Sequence, residues 1–162
     1  MQLNNYQDRI TLVHNALSDS YDKVILGTYR ENQGGTFVKT EGVGYLSYRR
    51  TSVKRDMSST TILMSDLASV VDFQKALLKI DIEGFEWRAM RCADRLFNKV
   101  FIPYVLMEWV DMIRQPDEKV KAMLQWFKTR GYEAFKMSRE KLDTSYWKTW
   151  PRDVIFKHNT VS

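Results

Sequence analysis

Four carboxylates follow closely on two apolar segments of the sequence, and their types and spacing could do chemistry. The first segment ends in Asp81, and Glu83 and Glu86 follow within five residues. The second segment ends in Glu108. In an open α/β sheet, ligands bind outside the carboxyl ends of the strands, and neighbouring strands lie about 5 Å apart. Asp81, Glu83 and Glu108 are therefore predicted to lie at one edge of a sheet, where a binding site is expected.

Such a cluster is compatible with three kinds of chemistry. It could bind a hard cation through oxygen ligands, take a proton from a hydroxyl or amine, or hold a cationic or polyhydroxylated ligand by hydrogen bonds. The alternative is purely structural, in which the acids cap the following helix and pair with Lys79, Arg88 or Arg91. Trp109, directly after Glu108, could either line the site or belong to the core.

The elements that must position these acids can be read from the apolar pattern. Ala76–Asp81 is nearly continuously apolar, which predicts a strand buried on both faces of a parallel sheet. Ile102–Glu108 predicts a second buried strand. Between them, apolar residues at three- and four-residue spacing predict a helix over residues 85–97 that includes Cys92 on its apolar face. Gly84 would let the chain turn tightly into this helix.

The remaining pattern completes an α/β domain. Further strands are predicted at Arg9–Asn15, Lys23–Thr28, Thr60–Leu63, Tyr132–Met137 and Asp153–His158. Ser65 is predicted to cap a short helix through Val70, and Pro116 to open a helix that Gly131 ends. Asn32–Gly35 is predicted to be a loop, and residues 36–58 are predicted to form a loop or short hairpin. This order predicts a single, mostly parallel sheet with one antiparallel strand.

Composition restricts the classes of protein. The chain has 162 residues, 44% hydrophobic and 28% charged, which suits one folded domain or a piece of a larger one. One cysteine excludes an internal disulfide framework and a zinc site built from several cysteines, and no metal ligand set is assigned. The net charge of +5 is modest, and the basic stretch Tyr48–Arg55 is interpreted as a solvated loop rather than a nucleic-acid site. No apolar run approaches the roughly 18 residues of a membrane helix, and the first residues lack a signal-peptide pattern, so a cytoplasmic location is the default.

Several segments together resemble the FkbM-type methyltransferases. Leu78–Glu86, with the letters LKIDIEGFE, is similar to that family's signature. The stretch NALSD at Asn15–Asp19, the NQGG loop, and the segments Thr61–Leu67, Val105–Glu108 and Trp150–Phe156 also match in the expected order. The resemblance spans residues 3–158, which would form one partial methyltransferase domain.

The resemblance implies a Rossmann-like class I fold with strand order 3-2-1-4-5-7-6, and S-adenosylmethionine as cofactor. The implied reaction is methyl transfer to a hydroxyl oxygen of a sugar, lipid or small metabolite. Asp81, with Glu83 or Glu108, would orient or deprotonate the acceptor. Asn15, Ala16 and Leu17 would pack against the adenine of the cofactor.

The sequence also departs from the family pattern. Segments matching the family's first two strands and its Gly-rich cofactor turn are not found before Asn4, so the fold is expected to be N-terminally truncated, with strands 3 to 7 only. The inner edge of Ala76–Asp81 would then be exposed and would favour self-association. A catalytically inactive remnant that serves as an interaction module is the main alternative function. A hydrolase that uses two carboxylates is a third.

Overall fold

The computed structural model describes residues 8–28, 36–39 and 57–161, which form a mixed α/β arrangement with two four-stranded sheets. The strands are β1 (Ala16–Ser18), β2 (Lys23–Thr28), β3 (Thr36–Lys39), β4 (Met57–Leu63), β5 (Lys75–Ile80), β6 (Phe101–Glu108), β7 (Tyr132–Lys136) and β8 (Asp153–His158). The α-helices are α1 (Glu86–Met90), α2 (Asp94–Lys99) and α3 (Asp117–Thr129). Short 3₁₀ helices lie at Met64–Ser69, Met112–Arg114 and Thr144–Thr149. The predicted single sheet is therefore wrong for the described residues.

The first sheet has the order β1-β4-β2-β3, in which β1 runs parallel to β4 and the other pairs are antiparallel. The strand predicted at Arg9–Asn15 is wrong, because the chain enters the sheet only at Ala16. Leu12 is 71% exposed, so nothing in the described chain covers the apolar run that suggested a strand. Apolar β-branched residues favour a strand only when a partner strand and a covering layer reach them.

The second sheet has the order β5-β6-β8-β7. β5 and β6 are parallel, and β8 is antiparallel to both of its neighbours, so β7 runs in the direction of β5 and β6. Within this sheet the prediction of parallel strands with one antiparallel member is confirmed. Pro103 lies inside β6 where the register against β5 shifts, between the pairs Lys75–Phe101 and Leu77–Tyr104. A bulge tolerates a residue without an N–H, which explains a proline in a central strand.

The helices pack on one face of the second sheet and build the core there. Side chains of a strand alternate between the two faces, so Val105 and Met107 of β6 point into this core and are fully buried. Val120, Met123 and Phe127 of α3 pack against them, as the predicted apolar stripe requires. The helix predicted over residues 85–97 is instead two short helices, α1 and α2, which a turn at Arg91–Ala93 separates. Both halves still bury the predicted apolar face.

The opposite face of the second sheet, which we call the open face, is not covered by any helix of the described chain. Its side chains are Leu77, Lys79, Tyr104, Leu106, Ile155, Lys157, Glu133 and Phe135, according to the strand register. Leu77 is 74% exposed, and of β5 only Ile80 is buried. The prediction that this strand is buried on both faces is therefore wrong, because its apolar residues are present but their covering layer is not.

Other local predictions have mixed outcomes. The strands at Lys23–Thr28 and Asp153–His158 and the helix after Pro116 are confirmed. Ser65 does not cap the short helix, since it lies inside the 3₁₀ turn and its hydroxyl donates to the Cys92 carbonyl. The Asp66 carboxylate accepts from the Leu63 N–H instead, at 2.9 Å. The predicted loop Asn32–Gly35 and the basic stretch Tyr48–Arg55 lie outside the described residues.

Candidate active site

The ends of β5 and β6 bring Asp81 and Glu108 together. Ile80 pairs with Met107 in the parallel ladder, so Asp81 and Glu108 occupy neighbouring positions one residue further on. Both side chains lie on the open face, since they continue the alternation of Lys79 and Leu106. Glu108 contributes to the pKa shift of Asp81, so the two carboxyl groups are close enough to interact. The predicted meeting of acids at two adjacent strand ends is therefore present in the structure.

Two cations hold this carboxylate pair in place. Lys79 Nζ lies 2.9 Å from Asp81 Oδ2. Arg152, just before β8, donates from Nε to Glu108 Oε1 at 2.7 Å, and its Nη2 lies 2.6 Å from the same oxygen. The Glu108 side chain is only 13% exposed, whereas Arg152 is 74% exposed. Glu108 is thus nearly buried and Asp81 is exposed, and each carboxyl group has a cation beside it.

The electrostatics favour an ionised Asp81. The hydrogen bond from Lys79 lowers the pKa of Asp81 below its usual 3.8 against the opposing effect of burial, and Glu108 and the charge of Arg152 act in the same direction as Lys79. The Asp81 carboxylate in turn raises the pKa of the Lys79 ammonium. A carboxylate with a lowered pKa accepts hydrogen bonds well but is a weak base near pH 7. The arrangement is therefore better suited to orienting a hydroxyl than to removing its proton.

Glu83 and Gly84 form the turn that follows β5. Both have a left-handed backbone, with φ of 54° at Glu83 and 95° at Gly84. A positive φ is costly for glutamate and nearly free for glycine, so this turn stores strain at the edge of the site. Glu83 is half-buried and lies in the turn, not at a strand end. The structure therefore places it differently from Asp81 and Glu108, with which the sequence grouped it.

Glu86 is the titratable group that the sequence reasoning did not assign to the site. It is 1% exposed, and its Oε1 accepts hydrogen bonds from the N–H groups of Ile82 and Gly84 at 3.2 and 3.3 Å. Its Oε2 has no hydrogen-bond partner among the described residues. Burial raises the pKa of Glu86 to about 7, and the charge of Asp111 adds to this effect. Glu86 lies three and four residues before Ala89 and Met90, which are on the buried face of α1. This helical spacing is the sequence signal that could have identified Glu86 as buried.

The structural alternative is present only in part. Lys79 does pair with Asp81, as that interpretation requires. Arg88 and Arg91, however, bind Asp19, at 2.7 and 3.2 Å, and not the acids after β5. The Arg88 hydrogen bond and charge lower the pKa of Asp19 against the opposing effect of burial. Trp109 is fully buried, and its indole N–H donates to the Trp147 carbonyl at 2.9 Å, so it belongs to the core and does not line the site.

The residues predicted to contact a cofactor lie on the first sheet. Ala16 and Leu17 form β1, opposite Thr61 and Ile62, so the predicted turn is itself the strand. The Asn15 side-chain amide donates to Thr60, to its carbonyl at 3.1 Å and its hydroxyl at 2.9 Å. These three residues and the carboxylate pair are thus held by different sheets.

A concavity of about 840 Å³ lies on the open face next to the carboxylates. Its floor is mostly apolar, with Leu77, Tyr104, Leu106, Phe135 and Ile155. Lys79, Lys136, Arg139 and Lys157 also line it, and no acidic residue of the described chain does. Because the Lys79–Asp81 and Leu106–Glu108 alternation continues this face, the carboxylate pair stands at one end of the concavity.

In residues 8–28, 36–39 and 57–161, no group of three or more His, Cys, Asp or Glu side chains has an arrangement that could hold a metal ion. No helix in those ranges has the length and apolar character needed to span a bilayer.

The chain matches the model of a known protein family. The model of the methyltransferase FkbM domain matches residues 1–134, which is most of the chain. No curated protein and no solved structure matches it. The matched region includes the carboxylate pair, the turn after β5 and the strand β1. The chain therefore belongs to the FkbM methyltransferase domain family.

Proposed function

We propose that this chain takes part in S-adenosylmethionine-dependent methyl transfer to a hydroxyl oxygen, and that Asp81 and Glu108 position the acceptor. The observation that carries the proposal is the carboxylate pair at two neighbouring strand ends, on the same sheet face as the 840 Å³ concavity. The family supports methyl transfer as the reaction class. The order β5-β6-β8-β7 supports a class I fold, since it corresponds to the 4-5-7-6 part of the order expected from the resemblance.

The described residues fit only part of the cofactor. Leu17 offers an apolar side chain for an adenine ring, but the Asn15 amide is already bonded to Thr60. The backbone of Ala16 and Leu17 pairs with β4. The charged amino-acid end and the ribose hydroxyls of S-adenosylmethionine therefore find no assigned donor or acceptor in the described chain. When bound, the cofactor would supply an electrophilic methyl group.

The carboxylate pair would orient a hydroxyl group of the acceptor. Asp81 is ionised at neutral pH and exposed, so it can accept a hydrogen bond from the O–H of an acceptor that reaches the carboxylate end of the open face. The ion pair with Lys79 fixes the direction of the Asp81 carboxylate, and Arg152 holds Glu108 beside it. Methyl transfer depends mainly on such positioning of the attacking oxygen.

The concavity indicates the class of acceptor. Its floor is apolar, and the hydrogen-bonding acids stand at one end. The acceptor would be a hydroxyl compound with an apolar part, such as a lipid, a glycoside or an amphiphilic metabolite. Its apolar part would lie on the apolar floor and its hydroxyl group at the acids. Sugar, lipid and small-metabolite acceptors all remain within this proposal.

Calorimetric titration with S-adenosylmethionine tests whether the chain binds the methyl donor. A Kd tighter than about 100 μM supports the proposal. No measurable heat at millimolar donor would contradict cofactor binding by this chain.

The role of the carboxylates is tested by Asp81→Asn with a methyl-transfer assay on a panel of hydroxyl acceptors. We expect donor affinity to be unchanged and methyl transfer to fall by roughly 10²-fold, since the oriented acceptor bond is lost. The matched control is Glu133→Gln, an exposed acid on the same face but away from the Asp81 end, which should leave the rate unchanged. Equal rates for Asp81→Asn and wild type would refute the assignment.

One observation favours a second candidate, a non-catalytic interaction module. The open face exposes Leu77 at 74% and Met137 at 59%, and such apolar exposure commonly marks a contact surface. Failure of the donor to bind, together with a folded and associating chain, would favour this candidate.

A further inference from the structure

The turn that follows β5 has a backbone conformation that the surrounding structure must enforce. Glu83 and Gly84 have φ values of 54° and 95°, both in the left-handed region. This conformation is costly for a glutamate, and it persists only where neighbouring groups hold the chain in it. Asp81 lies two residues before Glu83, so whatever holds this turn also limits the movement of the Asp81 backbone.

Two side chains hold the peptide groups of this turn. Glu86 Oε1 accepts from the N–H groups of Ile82 and Gly84, at 3.2 and 3.3 Å. The Ile82 N–H belongs to the same peptide group as the Asp81 carbonyl. From the other side, the Gln115 side-chain amide donates to the Gly84 carbonyl at 3.3 Å. Glu86 and Gln115 therefore bind three of the four peptide groups that follow Asp81.

The strand ladder holds Asp81 from its other side. Ile80 pairs with Met107 as the last pair of the parallel ladder between β5 and β6. Asp81 thus lies between a residue that the ladder fixes and a peptide group that Glu86 fixes. A side chain whose backbone is held on both sides keeps its direction, and a carboxylate that orients an acceptor needs a fixed direction.

Burial explains why a carboxyl group at position 86 calls for a role. The side chain is 1% exposed, and Oε2 is inaccessible to solvent and has no hydrogen-bond partner among the described residues. A carboxyl group in such a place has lost its hydration, whereas an apolar side chain would pack there without that loss. What an apolar side chain could not do is accept the two N–H groups of the turn. Both the protonated and the ionised carboxyl group can accept them through Oε1.

We propose that Glu86 and Gln115 are positioning residues, which hold the turn after β5 and thereby keep the Asp81 carboxylate in place beside Glu108. Glu86 is buried, so it acts through the backbone that follows Asp81 and not by contact with the acceptor. This role rests on the proposed function, in which Asp81 orients the acceptor.

Amide hydrogen exchange, followed by NMR, tests the hold on the turn without any substrate. In Glu86→Leu, which lacks the acceptor oxygen, the Ile82 and Gly84 N–H groups should exchange roughly ten-fold faster. The Val105 N–H in the central strand β6 reports opening of the whole fold and is the reference. Glu86→Gln keeps an acceptor oxygen and should leave both rates within about three-fold of wild type. Acceleration in Glu86→Leu no larger than that at Val105 would overturn the proposal.

A double-mutant cycle on methyl transfer tests whether Glu86 acts through Asp81. Glu86→Leu should lower kcat roughly ten-fold and leave KM for S-adenosylmethionine unchanged, since only the positioning is lost. In the Asp81→Asn background the same change should alter kcat by less than about two-fold, because the side chain that it positions is already replaced.

The cycle separates two kinds of failure. An equal loss in both backgrounds would overturn the role of Glu86 and leave the proposed function intact, because Asp81→Asn alone tests that function. A wild type without methyl transfer would contradict the proposed function and would overturn the positioning role with it, whatever the exchange rates show.

Gln115→Met keeps the proposal testable if Glu86→Leu does not fold. It removes the donor to the Gly84 carbonyl and keeps a side chain of similar length at a half-buried position. It should lower kcat by about two- to five-fold, and only while Asp81 is present. The matched control is Gln125→Met, the same change at an exposed position of α3, which should leave kcat unchanged. A Gln115→Met effect no larger than that of the control would overturn the proposal.

Discussion

Glu86 should make the folded protein less stable as the pH rises toward neutrality. The side chain is 1% exposed, and Oε2 has no hydrogen-bond partner among the described residues. Burial raises its pKa from the usual 4.5 to about 7. In Glu86→Gln, the amide oxygen can still accept from the Ile82 and Gly84 N–H groups, while the charge is removed. The substitution therefore isolates the energetic effect of ionising a buried carboxyl group.

The magnitude follows from the pKa difference. A folded chain with a raised carboxyl pKa binds the proton more tightly than the unfolded chain does. Its stability from this group is complete below pH 4.5, declines as the pH rises from about 4.5 to about 7, and is lost above that range. Each pKa unit corresponds to about 1.4 kcal/mol, so the full loss is about 3 kcal/mol.

The assay is urea unfolding of wild type and Glu86→Gln at pH 5 and pH 8. We expect similar free energies of unfolding at pH 5, where Glu86 is protonated. At pH 8 the variant should be more stable by up to about 3 kcal/mol, or roughly 6–12 °C in Tm. The exposed Glu118→Gln in the first turn of α3 is the control, and it should change stability by less than about 0.5 kcal/mol at either pH. If the variant is no more stable than wild type at pH 8, the buried carboxylate is compensated and the reasoning is refuted.

Two further substitutions test the packing and the backbone around the site. Trp109→Ala should destabilise the fold by about 3–5 kcal/mol. The substitution empties a fully buried position next to Trp150, whose ring centroid lies 4.6 Å away, and leaves the Trp147 carbonyl without its indole donor. A loss of unfolding free energy below about 1 kcal/mol in urea would contradict the place of Trp109 in the core. Gly84→Ala should cost about 1–2 kcal/mol, because φ is 95° there, while the added Cβ would meet Asp111 Cβ at an ordinary 3.6 Å. Thermal unfolding measures this cost, and an unchanged Tm would show that the turn relaxes.

The sequence predicted the strand ends of the site well, for a local reason. Apolar runs that end in Asp81 and Glu108 identify strands and their polar ends without knowledge of the partners. The sequence also predicted that the two strand ends are neighbours, because strands joined by a helical segment tend to be parallel and adjacent. The family followed from the order of several short segments, and the family match confirms it.

Burial was less predictable, because it depends on what covers a segment. Arg9–Asn15 and β5 have similar apolar composition to buried strands, yet Leu12 and Leu77 are 71% and 74% exposed. A sequence pattern shows that a segment can be buried, but only the packed structure shows whether another layer reaches it. The separation into two sheets was also not predictable from the local pattern, because it depends on which strands pair. β1 and β5 pair with different strands.

By itself, the sequence determined which residues carry carboxylates and which strands deliver them to one edge. Only the tertiary structure decided their electrostatic character. Asp81 has a lowered pKa because Lys79 donates a hydrogen bond to it and the charge of Arg152 is nearby, whereas Glu86 has a raised pKa because the fold buries it. Both are acids within six residues of one another, and their different behaviour arises from neighbours and solvent access, which residue type and spacing do not specify.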